Sequence, residues 1–595
     1  MRFFSTLIAS ILGALLAMLL IVFFGFLFIV AIVASTDSTP VVRTGSVLVM
    51  DLGGPIPERV SGDPFAQAMG LEAAYDLWDA REGLRKAASD SRVEALWIRM
   101  RGGQVSWPIA NEVRQSLMAF RESGKPIFAS SEDFPVTENA YYIASVADSL
   151  FAAPDAFVEF NGFYIASQFY LDLLASLEID PQIVRSGDYK GAVEPFLRES
   201  LSAENREQLN AILATQENVF VEAIASARNL SADRVRQLMT DFGIGSSEEA
   251  VEAGLLDGLR HHDEVVSMIK RTLGADDDAN LPTVRFSQYV AVPARQAGLS
   301  TSGDDDIAVI YAEGQIMSGS SPLAEMLTPT SVRESLKSAR ESDRVKAVVL
   351  RINSPGGSAT AGDAILRDVH LTAAEKPLVV SMGSVAASGG YWIAMAADTV
   401  VADPLTITGS IGVFSMFFDV GDTFDSKLGI KHDVLRTNPH ADMLSALRPL
   451  SPIEQERMQT SVDHVYSRFL DIVAANRGME VEQVHELAQG RIWTGSDAKA
   501  IGLVDVLGGL GDAIAIAADL AGLEEGAYRV RELPRPLSFV ERINRGFYAI
   551  AAKIRFASPL TAFEQEALEH ARRLQALVAE AGSVQARLPF ELVWE

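Results

Sequence analysis

Apolar and polar positions divide this chain into three kinds of pattern. The first is a run over residues 7–34 that carries no charge and consists mainly of Leu, Ile, Phe, Ala and Val. At ~1.5 Å per residue it is longer than the ~30 Å hydrocarbon core of a bilayer, and longer than the roughly 7–15-residue apolar region of a cleavable signal peptide. Ala31-Ile32-Val33-Ala34 is a poor small-x-small cleavage site. The run therefore predicts an uncleaved signal anchor, with residues 1–6 in the cytoplasm and the remainder exported. The second pattern fills most of the rest. Short β-branched apolar runs (346–352, 378–381, 399–401) alternate with helical stretches (330–342, 359–374). Continuous apolar strands separated by helices are what a parallel sheet covered on both faces requires. The third is an amphipathic helical pattern at 559–581, inside a helical extension expected over 531–595.

The exported part is written twice. Arg92-Val93-Glu94-Ala95-Leu96-Trp97-Ile98-Arg99 matches Arg344-Val345-Lys346-Ala347-Val348-Val349-Leu350-Arg351. Lys125-Pro126-Ile127 matches Lys376-Pro377-Leu378, and the Tyr141–Ala144 element recurs as Tyr391–Ala394. Leu201-Ser202 and Leu450-Ser451 each open a long helical pattern, and Gly254-Leu255-Leu256-Asp257 recurs as Gly502-Leu503-Val504-Asp505. Matches in one order indicate an internal duplication: two α/β repeats at 45–273 and 307–530, joined by an acidic linker at 274–306.

Composition narrows the chemistry. The 595 residues include no cysteine, which excludes structural disulfides, thiolate metal sites and a Cys nucleophile. A net charge of −27 without a basic cluster makes nucleic acid an unsuitable partner.

Two glycine-rich stretches in the second repeat stand out. Arg351-Ile352-Asn353-Ser354-Pro355-Gly356-Gly357-Ser358 ends a strand and leads into a helix, so its amides could face developing negative charge, or it could be a plain tight turn. Ala386-Ala387-Ser388-Gly389-Gly390-Tyr391 places a Ser at the start of a helical run, as a nucleophile or as an ordinary N-cap. Ala386 departs from the G-x-S-x-G elbow. A Ser nucleophile needs a base. None of the eight histidines sits in a compact turn beside an Asp, and His464 and His485 fall in helical patterns. A buried lysine can serve, since lowering its pKa from ~10.4 to about 8 costs roughly 3 kcal/mol. Lys190, in Gly187-Asp188-Tyr189-Lys190-Gly191, has small and aromatic neighbours, but the residues alone do not choose among the lysines.

These motifs resemble the bacterial signal peptide peptidase A family, protease IV, in its long double-repeat form. The resemblance rests on Asn353–Gly357, Ala387–Trp392, Tyr189-Lys190 with Val193-Glu194-Pro195-Phe196, and Thr408-Gly409-Ser410-Ile411-Gly412. It implies tandem ClpP/crotonase-like repeats behind a single N-terminal transmembrane helix. It implies Ser388 as nucleophile, Lys190 as general base, Ser410 orienting the lysine, and Gly357 and Gly389 as the oxyanion hole. No metal or cofactor is implied. The implied setting is a homotetramer in the bacterial inner membrane, its body in the periplasm, degrading cleaved signal peptides and other apolar peptides. The first copy reads Thr137-Glu138-Asn139 where the Ser should be, and the second has His440 near the place of the lysine. Each copy lacks half of a dyad, so one site shared between the copies is expected. Phe414, Met416, Phe417 and Phe418 are candidates for a subsite or for core. A crotonase-type acyl-CoA enzyme and a non-catalytic membrane scaffold are the rival readings.

Overall fold

The computed structural model describes residues 40–60, 75–276, 278–299, 303–319, 326–534 and 585–587, with single positions at 13, 20 and 23–25. Among the described residues no helix is long and apolar enough to cross a membrane. The anchor expected at 7–34 lies outside the described residues save for those single positions, as does the helix expected at 559–581.

The first repeat carries strands β1 (Ser46–Leu52), β2 (Val93–Met100), β3 (Ile127–Ser131), β4 (Ser149–Ala152), β5 (Asp180–Ser186), β6 (Gly258–Leu259) and β7 (Thr283–Arg285). The second carries β8 (Asp305–Glu313), β9 (Val345–Ser354), β10 (Gly356–Ser358), β11 (Leu378–Ala387), β12 (Thr399–Ala402), β13 (Ile407–Gly409), β14 (Val413–Asp419), β15 (Ile492–Thr494), β16 (Val506–Leu507) and β17 (Tyr528–Leu533). One more strand, β18 (Gln585–Arg587), follows. The first sheet runs β6-β4-β3-β2-β1-β7, and the second contains the same path as β16-β12-β11-β9-β8-β17. Its strand pairs along these paths are parallel. The duplication extends to single atoms. Tyr141 Oη donates to Leu255 O and Tyr391 Oη to Leu503 O, both at 2.8 Å.

Alternation on the strands explains the two-sided cover. Leu48, Met50, Leu96 and Ile98 face one apolar core, while Val47, Val49, Ala95 and Trp97 face another against Val265 and Ile269. In the second repeat Val348 and Leu350 face one core, and Val349 and Ala347 meet Leu510 and Ile514 on the other. Period-two side chains on a strand buried on both faces require this.

Two of the expected boundaries shift. The stretch expected to be a linker at 274–306 contains β7, which pairs with β1, and Phe286 and Tyr289 enter the first core. A strand of three residues with one buried side chain is too short to give a period in the sequence. β7 is the counterpart of β17, which closes the second sheet and runs through the boundary expected at 530–531.

The repeats meet in two places that matter for the site. The helix Trp107–Arg121 of the first repeat packs on β11 of the second. β5 of the first pairs antiparallel with β14 of the second, from Ser186↔Val413 to Asp180↔Asp419.

Candidate active site

β11 ends at Ala387 and the helix Gly389–Ala394 begins at once, leaving Ser388 at the turn with φ 56° and ψ −115°. A side chain held in so sparsely populated a conformation costs about 1–3 kcal/mol, and such strain concentrates at functional sites. Ser388 makes no side-chain cap hydrogen bond, so the N-cap reading fails. Although the sequence lacks the elbow motif, the backbone makes a strand-to-helix turn of that kind. Gly390 permits it: a Cβ there would lie 2.6 Å from Ser354 O.

The base segment follows β5. Gly191 N–H donates to Tyr189 O at 2.8 Å across Lys190, whose φ −75° and ψ 76° make an inverse γ-turn. Downstream, the Glu194 carboxylate accepts from Ser202 N and Asn205 Nδ2 at 3.1 Å each, fixing this segment to the helix Ala203–Arg228. Because β5 is paired to β14, Lys190 enters the second repeat. Its Nζ lies 2.8 Å from Ser388 Oγ, 198 residues away in sequence, 3.0 Å from Ser410 Oγ and 3.1 Å from Ser410 O.

Lys190, Ser388 and Ser410 are all fully buried. Burial alone drives the Lys190 amine well below its ordinary pKa, with no carboxylate opposing it. A neutral amine has two N–H donors and one lone pair. Ser410 O and Oγ can take the two donors, which leaves the lone pair toward the Ser388 hydroxyl. Ser410 itself has φ 50°, and its N–H donates to Arg491 O at 2.7 Å.

Gly389 begins the helix after Ser388, and Gly357 is central in β10, which packs against that helix. Both glycines expected to supply oxyanion amides are buried. β10 and β14 flank β18, with Gly357 opposite Ala586 and Phe414 opposite Gln585, both antiparallel. Phe414 and Met416 sit with Val193 and Phe196 in one apolar cluster next to the base, whereas Phe417 faces Leu450 and Met458. His440 is not at the site; its Nδ1 lies 2.9 Å from Glu454 Oε1 in an exposed position.

In the first copy Glu138 stands at the head of the helix Glu138–Ala144, where Ser388 stands in the second. It is buried, accepts from Asn161 N and Gly162 N at 2.7 Å each, and burial pushes its carboxyl up to about 7. Sequence reasoning missed two features around the dyad. One is the buried cluster of Arg351 with Glu58 and Glu112; the other is the turn 488–491 behind Lys190. Neither carried a signal, because their residue types are ordinary and their partners are distant in sequence.

The chain matches peptidase family S49 over residues 119–276 and 370–524, and the Clp protease family over 300–404. It is 35% identical to the chloroplastic serine protease SPPA of Arabidopsis thaliana, over 85% of this chain and 74% of that one. It is 34% identical to protease 4 of Salmonella typhi, over 80% and 79% of the two chains. Against protease 4 of Haemophilus influenzae the identity is 32%, over 83% of each.

Proposed function

Because this chain belongs to peptidase family S49 and is a serine peptidase of the protease 4 type, we propose that Ser388 is its nucleophile and Lys190 its general base. The supporting observation is the uncharged surroundings of a buried Lys190 Nζ 2.8 Å from Ser388 Oγ. Neutral Lys190 takes the hydroxyl proton as Oγ bonds to the peptide carbonyl carbon. The electron pair moves to the carbonyl oxygen, which the amides of Gly357 and Gly389 hold. When the C–N bond breaks, the Lys190 ammonium gives its proton to the leaving amine. Water then cleaves the ester by the same proton path. Ser410 keeps the amine aimed throughout.

The substrates are cleaved signal peptides and other extended apolar peptides. Such a peptide would add as a strand between β10 and β14, where main-chain pairing gives affinity and alternate side chains give specificity. The Phe414, Met416 and Phe196 cluster is suited to an apolar side chain. The uncharged run at 7–34 would hold the enzyme at the outer face of the bacterial inner membrane, as a homotetramer. The buried uncompensated lysine and the strained serine favour this reading over an acyl-CoA enzyme or a scaffold.

The test is cleavage of a fluorogenic apolar peptide, together with mapping of a fluorophosphonate adduct. The adduct is expected on Ser388. The rate kcat/KM is expected to rise with pH as Lys190 loses its proton, because only the neutral amine accepts one, with the limb below the ordinary lysine range. Absence of cleavage over a panel of apolar peptides, with no adduct on Ser388, would sink the proposal.

Residues 585–587 occupy the place such a substrate would take. A chain ending after Pro534 is therefore expected to have a several-fold lower KM for the apolar peptide with kcat little changed. An unchanged KM in steady-state assays would mean that β18 does not compete.

A further inference from the structure

The dyad is assembled from segments 198 residues apart, and Ser410, on a further segment, orients its lysine. The turn 488–491 touches the base segment and the Ser410 segment. Tyr189 N–H, next to the base, donates to Gln489 O at 2.9 Å. Gly490 N–H donates to Ile411 O at 2.8 Å, and Ser410 N–H donates to Arg491 O at 2.7 Å. The turn is itself closed by Arg491 N–H on Ala488 O at 2.8 Å. Three consecutive residues thus bind the main chain of the base segment and of the segment that orients the base.

Packing makes the contact tight. Gly490, at φ 80°, lies so close to the lysine that a Cβ on it would be 2.6 Å from Lys190 Cβ and 2.7 Å from Lys190 Cα and N. Real Cβ atoms do not approach main chain so closely, so any side chain here would displace the base. On the outer side the Arg491 guanidinium stacks over the Tyr189 ring at 4.9 Å and the Trp493 ring at 4.4 Å, and pairs with Glu207 at 2.8 Å. Arg491 therefore clamps the residue preceding Lys190 from the second repeat.

The first copy separates what the turn does for the fold from what it does for the dyad. There Phe242, at φ 50°, holds the place of Gly490 at φ 80°. An antiparallel bridge of Phe157 to Ser246 follows, as β13 pairs with β15 in the second copy. Yet Phe242 carries a full side chain at that place, and it is exposed. The turn forms without a lysine segment against it; only in the second copy is it pressed onto one.

We infer that Gly490 and Arg491 are positioning residues for the Ser–Lys dyad, the turn acting as the spacer that sets how far Lys190 enters the second repeat. The inference rests on the dyad reading above. A displacement near 1 Å can cost on the order of 100-fold in rate, so in full-length Gly490→Ala kcat is expected to fall by about that factor at neutral pH, with KM little changed. The rising limb of the pH–rate profile is expected to move to higher pH, because an amine pushed from its sealed pocket is better hydrated and keeps its proton longer. Part of the lost rate then returns at alkaline pH, which a purely structural defect would not produce. Arg491→Ala leaves every backbone bond of the turn in place and is expected to shift the limb the same way with a smaller loss. It decides the matter should Gly490→Ala not fold. Wild-type kcat and an unmoved limb in the folded variants would overturn the inference. Lys190→Ala is assayed beside them: if it cuts at the wild-type rate the dyad reading itself fails, whereas an inactive Lys190→Ala beside an unimpaired Gly490→Ala removes only the role of the turn.

Discussion

Ser388→Ala is expected to lower kcat by on the order of 10⁴- to 10⁶-fold, and Lys190→Ala by a similar factor. The two residues act as one unit, so the double variant should be no slower than the single ones, an outcome that independent contributions would not give. Stability separates catalysis from folding. Lys190 is fully buried and its pKa is depressed, so below the ordinary lysine value the unfolded chain binds a proton that the folded chain does not. This linkage is absent above that value and grows as a penalty as pH falls toward the depressed one. Lys190→Met removes the penalty. At neutral pH it is expected to be inactive yet to unfold at a higher temperature than the native protein, and the difference should shrink as the pH is raised toward 10.4. An active Lys190→Met, assayed on the apolar peptide, would end the proposal that this lysine is the base.

Arg351→Ala is expected to be among the most destabilising single changes in the chain. The guanidinium is fully buried, and each of its five N–H groups has a partner. Nε and Nη2 meet Glu58 at 2.9 Å, Nη2 also meets Glu112 at 2.6 Å, and Nη1 donates to Ser381 Oγ and Met382 O at 2.8 and 3.1 Å. Burial opposes its charge, but Glu112 and Glu58 outweigh that and hold it above its usual pKa. Both glutamates belong to the first repeat, so this one side chain ties the half carrying the base to β9 and β11, which lead to Gly357 and Ser388. Breaking a buried pair leaves charge uncompensated and costs about 3–5 kcal/mol. Asp403, bonded to Asn111 at 2.7 Å and already pushed by burial to about 7, adds a further carboxyl. In the variant Glu112 and Asp403, both raised by burial, retain protons in the folded state that the unfolded chain has lost, so the defect should deepen as pH rises from about 5 to 8. Thermal unfolding across that range checks it. Combining Arg351→Met with Glu58→Gln and Glu112→Gln should recover most of the loss; failure to do so would mean that packing, not charge, is what Arg351 supplies.

Much of the fold was legible in local pattern. The runs 346–352 and 378–381 read as strands because both faces of each are buried, and the two long helices were marked by Ser202, whose hydroxyl caps the first, and Ser451, which stands at the N-cap of the second. The duplication was legible because both copies keep the same apolar order. β7 was not, since three residues with one buried side chain, Val284, set no period. Ser388 was recognisable as a small-residue turn at a helix start, but its strained φ was not.

Sequence alone determined that the chain is a duplicated α/β protein without cysteine chemistry, with a candidate serine in the second copy and no counterpart to it in the first. These are local properties, carried by periodicity, residue type and repetition. Family resemblance pointed to Lys190, but only tertiary structure put its amine within 2.8 Å of that serine, joined the halves through Glu58, Glu112 and Arg351, and pressed the turn 488–491 on Lys190. Each of those contacts links residues that are far apart in sequence. A pattern read along the chain reports which face of an element is buried, but not which distant residue meets it there.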